Sequence, residues 1–375
     1  MHPNIQSSTG VPPRKGALRG HRSRTAFIGL LALVIVGLSA FALIDSPAHR
    51  PPQTTHQVGS SRHEAQPAPT TTTSGPPFQI QQATITLTDP SRSTPARGDV
   101  PGHPGRTLVT IIRRPIGAVG ALPLIVFAHG WNSNPSVYEV LLDTWAAAGY
   151  LVAAPTFPDS TNTLPGSPVS NYPEQARDMS FVISSLLGGV DGPVDPSRIA
   201  VAGHSDGGTD IALLALNPQY ADTRIRAYIS MSGEIPSGVN GPWGMPIAGA
   251  LLVAVGTADQ YGLLGPSTQI YQTAEMPKAL LTLAGGDHLT TFIGTSAAQE
   301  AMRAETVRFL SAAFSKTSVS SGKLQDALSP TGDPGITLQT WPGLSEMAVL
   351  RKLKLPVLHL SSPKYQAEER TSLGV

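Results

Sequence analysis

The sequence predicts an α/β fold in which a mostly parallel central sheet carries helices on both faces. Three observations carry this. Between residues 122 and 314, short β-branched apolar runs alternate with segments of helical periodicity, the pattern of consecutive βαβ units. Leu122–Ala128 (LPLIVFA) and Ala250–Val255 (ALLVAV) are apolar without alternation, as strands buried on both faces are. Ile199–Gly208 reads IAVAGHSDGG, an apolar strand that turns sharply into a helix.

In chain order, Phe78–Thr88 alternates apolar and polar residues and reads as a strand, and Thr107–Arg113 reads as another. Leu122–Ala128 is the first strand of the parallel set. Ser136–Gly149 has helical periodicity and closes on Gly149, a glycine placed as a C-terminal cap. Tyr150–Ala154 is a strand. Pro173–Leu187 is a helix with Phe181, Ile183 and Leu187 facing inward. Strand Arg198–Ala202, helix Asp206–Leu216 and strands Ile225–Met231, Ala250–Val255 and Ala279–Leu283 follow, then a helix over Ala297–Phe314. The loop Glu234–Pro246 is short, so no large lid is expected.

The flanks differ in kind. Residues 1–24 hold five bases and no acid, which makes them a basic cytoplasmic region ahead of Thr25–Ile44, 20 residues without a charge. At about 1.5 Å per residue such a helix spans about 30 Å, the hydrocarbon thickness of a bilayer. With all the nearby bases before it, everything after Ile44 is expected outside the cytoplasm. The segment is a membrane anchor, or a signal peptide if cleavage follows the Ala40-Phe41-Ala42 triplet, in which case the protein is secreted. Residues 45–77, rich in Pro, Thr, Ser and Gln, bury too little apolar surface to fold and read as a spacer. The α/β domain is expected over 78–315. Residues 316–375 depart from the strand–helix pattern and read as an appendage of uncertain order, with one mildly helical piece, Leu344–Leu353.

Composition removes several functions. Residues 78–315 carry 12 Lys+Arg against 18 Asp+Glu; a domain with that balance has no basic surface for nucleic acid. Cysteine is absent, which excludes a thiolate nucleophile, disulfides and thiolate metal sites. The ten histidines form no H-x-x-H or H-E-x-x-H pair, so no metal site is expected.

The chemistry resides in the turn. Gly203-His204-Ser205-Asp206-Gly207 is G-x-S-x-G between a strand and a helix, the geometry that lifts a serine hydroxyl above a sheet edge. Glycines two before and two after let strand and helix approach closely. Ser205 is the candidate nucleophile. A serine needs a base, and in this topology acid and histidine follow it in that order. Beyond Ser205 stand only His288 and His359, and His359 lies in the irregular tail, which leaves His288. The acids between are Asp206, Asp210, Asp222, Glu234, Asp259, Glu275 and Asp287. Asp259 emerges just beyond strand Ala250–Val255, at the carboxyl edge where catalytic groups gather in α/β sheets, and is the candidate partner of His288. The backbone N–H of Asp206 and that of Trp131, in the His129-Gly130-Trp131 loop after strand Leu122–Ala128, are the candidate oxyanion donors. His129 reads as a structural residue that closes this loop. Trp131, Phe157 and Trp243 are candidate apolar walls of an open cleft.

With these residues in place the chain resembles a serine α/β-hydrolase from about Leu122 to Phe314. The resemblance rests on PLIVFAHGW (Pro123–Trp131), AAAGYLVAAPTFP (Ala146–Pro158), EQARDMSFVISSLL (Glu174–Leu187) and IAVAGHSDGG. The third segment is similar to the branch of dienelactone-hydrolase-like proteins and platelet-activating-factor acetylhydrolase-like esterases, and chlorophyllase-like proteins are similar in layout. The resemblance implies carboxylic-ester hydrolysis without a cofactor, and roles for Ser205, Asp259, His288, Trp131 and Asp206 that match those read above. Dienelactone hydrolases use a cysteine nucleophile, which this chain lacks. Lipid esterases often place a bulky apolar residue after the serine, where this chain has Asp206.

The expected activity is therefore extracytoplasmic hydrolysis of a small-molecule or lipid-like ester through an acyl-enzyme. An acyltransferase using the same three residues, and a membrane-tethered binding protein on the same fold, are the alternatives.

Overall fold

The computed structural model describes residues 77–244, 247–315, 320–328 and 335–341. The expected membrane segment Thr25–Ile44, all of the spacer 45–77 but its last residue, and the helical piece Leu344–Leu353 lie outside the described residues. Among the described residues, no helix is long and apolar enough to cross a membrane.

Nine described strands form one sheet: β1 (Ile80–Asp89), β2 (Arg106–Pro115), β3 (Leu122–Ala128), β4 (Leu151–Thr156), β5 (Val194–His204), β6 (Ile225–Met231), β7 (Ala250–Gly256), β8 (Lys278–Leu283) and β9 (Ile336–Trp341). Their spatial order is β1-β2-β4-β3-β5-β6-β7-β8-β9. The six strands from β4 across to β8 run parallel. β1 pairs antiparallel with β2, β2 with β4, and β9 with β8, so antiparallel strands occupy both ends.

Helices cover both faces, which explains the uninterrupted apolar strands. Along β3, Leu124, Val126 and Ala128 enter one core, with α2 (Tyr172–Leu187), α3 (Asp206–Leu216) and α4 (Leu264–Thr273). Ile125 and Phe127 enter the other, with α1 (Glu139–Ala147), α6 (Ala297–Ala313) and α7 (Ser321–Ala327). The short helix α5 (Thr290–Ile293) contributes Phe292 to this second core.

The helix expected over Ser136–Gly149 is a 3-10 turn, Pro135–Tyr138, running into α1. Gly149 sits just past α1 at φ 99°, a left-handed conformation that costs glycine little. In α2 the buried stripe is Ala176, Met179, Val182, Ile183 and Leu186, while Phe181 and Leu187 are only partly buried at its margin. Asp178 of α2 is fully buried and receives the guanidinium of Arg106, which also reaches Asp159. A buried carboxylate needs such a partner, and this one ties α2 to β2.

Within 316–375, read as an appendage to a domain ending at 315, the described residues 320–328 and 335–341 belong to the domain. Leu324 and Leu328 are fully buried in the second core, and β9 adds a strand to the sheet. Ile336–Trp341 (ITLQTW) alternates only as far as Gln339, and it is short and isolated in sequence, so its period is a weak signal on its own.

Candidate active site

β5 ends at His204 and α3 begins at Asp206, so Ser205 alone makes the turn. It holds φ 59°, ψ −121°, a strained conformation for a residue with a Cβ. Two close approaches enforce it. A Cβ on Gly203 would stand 2.2 Å from the Gly207 carbonyl oxygen, and one on Gly207 would stand 2.1 Å from that of Ala128. Both glycines are therefore obligatory for β5, α3 and β3 to meet here. Ser205 occupies the N-cap of α3, yet its side chain makes no capping hydrogen bond. Its hydroxyl lies at the positive end of the helix dipole and is not engaged by the helix.

The structure brings His288 and Asp259 together. Asp259 follows β7 and His288 follows β8, and both are nearly buried. His288 Nδ1 and Asp259 Oδ2 are 2.7 Å apart. The other carboxylate oxygen accepts the Tyr261 N–H at 3.0 Å, and the Gln260 side chain accepts the His288 N–H at 3.1 Å. His288 sits beside the elbow, since its ring centroid is 4.5 Å from that of His204, the residue before Ser205.

The competing acids are otherwise occupied or elsewhere. Asp287 accepts from the N–H groups of Leu289 and Thr290 at the start of α5. Asp222 is paired with Arg224. Asp206 receives the hydroxyls of Ser170 and Tyr172. Asp210 is buried inside α3 with neither oxygen bonded among the described residues, and burial, with Asp206 and Asp178 nearby, pushes its carboxyl well above the ordinary range. Glu234 and Glu275 are exposed.

The loop after β3 abuts the elbow: a Cβ on Gly130 would lie 3.1 Å from Ser205 Cβ. The Gly130 N–H donates to Tyr138 Oη at 3.2 Å. Its carbonyl lies 2.8 Å from His129 Nδ1, and His129 Nε2 accepts the Phe157 N–H at 3.0 Å. A ring nitrogen that accepts is unprotonated, so Nδ1 bears the proton and His129 is neutral. Among the described residues the N–H groups of Trp131 and Asp206 have no hydrogen-bond acceptor.

Two expected walls are corrected. Phe157 is fully buried; it packs against His129, with ring centroids 5.0 Å apart, and belongs to the core rather than to a cleft. Trp243 is half-buried at the opposite end of α3, where the next residue, Gly244, donates to the Leu216 carbonyl. The 11 residues of α3 put that point about 16 Å along the helix axis from Ser205. Trp131 is 51% exposed beside the elbow, its indole N–H donating to the Pro168 carbonyl at 3.2 Å. Tyr261, which the sequence did not single out, is 71% exposed and stands edge-on to His288 at 4.6 Å between centroids. Tyr138 and His204 were also overlooked, although both contact the site. Among the described residues no group of acids and histidines is arranged to hold a metal ion.

Burial holds His129 and His204 neutral, depressing their pKa to about 4 and about 3. An unfolded histidine titrates near 6.5. Between these values the unfolded chain binds more protons than the folded one, so stability falls as pH is lowered from about 6.5. Each histidine contributes about 2 kcal/mol of loss by pH 5. The carboxylates held below their ordinary range, Asp89, Asp195, Asp222 and Asp287, start to contribute only near pH 4. Asp210, Asp178, Asp206 and Glu305, held above their ordinary range, act in the opposite sense, gaining protons in the folded state as pH falls. Asp210→Asn removes the most strongly raised of these, and its Tm should drop between pH 6.5 and 5 by more than that of the wild type; equal pH profiles for the two would contradict this account.

A chlorophyllase family model matches residues 94–234. That match includes the His129-Gly130-Trp131 loop and the Ser205 turn and ends before Asp259 and His288. No curated protein sequence matches the chain. Many solved structures do. One is a ferulic acid esterase from Streptomyces cinnamoneus, with 20% sequence identity over 70% of this chain and 96% of that one, at a TM-score of 0.51. The chain has the α/β-hydrolase fold, and the expectation of an esterase-type α/β-hydrolase agrees with both matches.

Proposed function

We propose that this α/β-hydrolase cleaves carboxylic esters through an acyl-enzyme on Ser205. The carrying observation is the 2.7 Å bond between His288 and Asp259 beside a serine held at φ 59° on the elbow. Ser205 Oγ attacks the ester carbonyl carbon as His288 Nε2 takes its proton. Asp259 fixes the tautomer and stabilises the imidazolium. The carbonyl oxygen becomes an oxyanion facing the N–H groups of Trp131 and Asp206, donors whose removal one at a time typically costs ~10²–10³ in rate. The tetrahedral adduct collapses, the alcohol leaves with the proton from His288, and a water repeats the sequence to free the acid and restore Ser205. No cofactor enters these steps.

The likeness to chlorophyllases and to a ferulic acid esterase supports a small-molecule ester as substrate. The charge-free segment Thr25–Ile44, preceded by the bases of residues 1–24, supports an extracytoplasmic domain, anchored or released after Ala42.

Turnover of p-nitrophenyl acetate and butyrate tests the reading, together with mass spectrometry after treatment with a fluorophosphonate. Hydrolysis and a single adduct on Ser205 are expected. Absence of both would leave a binding protein on a hydrolase fold. Product diverted to transesters by added alcohols would instead indicate an acyltransferase.

Trp131 separates its backbone and side-chain roles. Trp131→Ala keeps the N–H and removes the exposed indole. KM for the butyrate ester should rise about three- to tenfold with kcat within about threefold, the signature of lost uniform binding. A kcat loss of a hundredfold would mean that the indole also holds the loop.

A further inference from the structure

Tyr138 and His204 are buried polar residues that the mechanism above does not use. Tyr138, 2% exposed, closes the 3-10 turn ahead of α1, and His204, 1% exposed, ends β5. Their polar atoms meet the catalytic loops. The Gly130 N–H reaches Tyr138 Oη at 3.2 Å, Oη lies 3.0 Å from His204 Nδ1, and His204 Nε2 lies 2.7 Å from the His288 carbonyl oxygen. A carbonyl can only accept, so Nε2 bears the proton. His204 is neutral, so Nδ1 is bare and Tyr138 donates to it. The hydrogens along the link are thereby assigned: Gly130 N–H to Tyr138 oxygen, Tyr138 O–H to His204, His204 N–H to the His288 carbonyl, with the Ser133 side chain also beside the Tyr138 hydroxyl.

We propose that Tyr138 and His204 form a positioning link that holds the oxyanion loop in register with the catalytic histidine. The proposal rests on the esterase reading of Ser205, Asp259 and His288. One end of the link grips Gly130, whose carbonyl His129 holds in turn. A peptide is planar, with C=O and the following N–H pointing in opposite directions. Pinning the Gly130 carbonyl to His129 therefore directs the Trp131 N–H away from it, and pinning the Gly130 N–H to Tyr138 stops the residue from rotating. The other end grips the backbone of His288, while the His204 ring stands 4.5 Å from the His288 ring and 5.3 Å from Phe292. The oxyanion donor and the general base come from segments about 160 residues apart in the chain. In this site they are joined through two side chains. A misplacement of about 1 Å at such groups costs on the order of 10² in rate.

Packing alone does not require this chemistry. Tyr138 packs at a tilt against Phe127 at 4.8 Å between centroids, a contact that a phenylalanine would keep. Tyr138→Phe therefore removes the hydroxyl and little else. His204→Phe keeps a ring and breaks the link, and His204→Gln restores a donor near the Nε2 position. The experiment measures kcat and KM for p-nitrophenyl butyrate, melting, and the low-field Nδ1 proton resonance of His288. For Tyr138→Phe we expect kcat about tenfold lower with KM within twofold. For His204→Phe we expect kcat about a hundredfold lower, with at least a tenfold recovery in His204→Gln. In both phenylalanine variants the His288 proton should shift or broaden through exchange with water. Folded Tyr138→Phe with kcat within twofold of wild type and an unchanged resonance would overturn the link, whether or not His204→Phe folds. If the wild type hydrolyses no ester, the esterase reading fails and the resonance alone decides the link.

Discussion

Ser205→Ala should lower kcat for p-nitrophenyl butyrate by about 10⁶ while leaving the melting temperature within a few degrees of wild type. The rate loss is of the order found when the nucleophile of such a triad is removed, the remainder over water coming from oxyanion binding and substrate positioning. The unchanged stability follows from the geometry. The Ser205 hydroxyl caps nothing in α3, so its deletion orphans no helix N–H. Alanine at φ 59° carries the same backbone strain as serine. Glycine does not, and Ser205→Gly should be equally inactive and more stable, by about 1 kcal/mol in the melt. An inactive protein that gains stability when strain is relieved is the stability–activity trade-off expected of a serine held where chemistry needs it. Activity in Ser205→Ala within a hundredfold of wild type would place the nucleophile elsewhere.

What the sequence revealed and what it concealed divide along a physical line. Ser205, Asp259 and His288 were legible because each chemical type stands where a strand of the parallel set ends, and those strands were legible because burial on both faces leaves no polar alternation in them. Gly203 and Gly207 were legible because the elbow brings strand and helix into contact at fixed offsets. Side-chain exposure was not. Phe157 and Trp243 are aromatic residues in loops, and nothing local distinguishes a cleft wall from a core residue or from a residue at the far end of α3. The inward face of α2 was misjudged in the same way. Ile183 is buried, but Phe181 and Leu187 lie at the edge of a stripe whose centre is set by where the helix docks. Tyr138 and Tyr261 gave no motif, since their importance comes from what they touch. Tyr138 meets His204 across 66 residues. Tyr261 meets His288 only because β7 and β8 are neighbours. β9 was missed for the related reason that a single edge strand is recognisable through its pairing partner.

Asp259→Asn should lower kcat by about 10⁴ without unfolding the protein. The two oxygens of Asp259 face different demands. Oδ1 accepts the Tyr261 N–H at 3.0 Å, whereas Oδ2 faces His288 Nδ1 at 2.7 Å. An asparagine has one acceptor and one donor end. The Tyr261 N–H claims the oxygen, because the amide NH₂ in its place would set donor against donor. The NH₂ is then turned toward His288. It can bond Nδ1 only if that nitrogen is bare, so the imidazole proton moves to Nε2, the atom that must accept the proton of Ser205. The substitution thus preserves shape and a hydrogen bond at each end while selecting the tautomer that cannot act as base. Asp259→Ala leaves the tautomer unconstrained, so it should retain at least as much activity as Asp259→Asn despite losing more contacts. That order, read from kcat on p-nitrophenyl butyrate, distinguishes tautomer control from simple loss of support. A loss under tenfold in Asp259→Asn would transfer the role to another acid. Asp287, next to His288 in the chain, is a poor substitute, because the start of α5 already holds both of its oxygens.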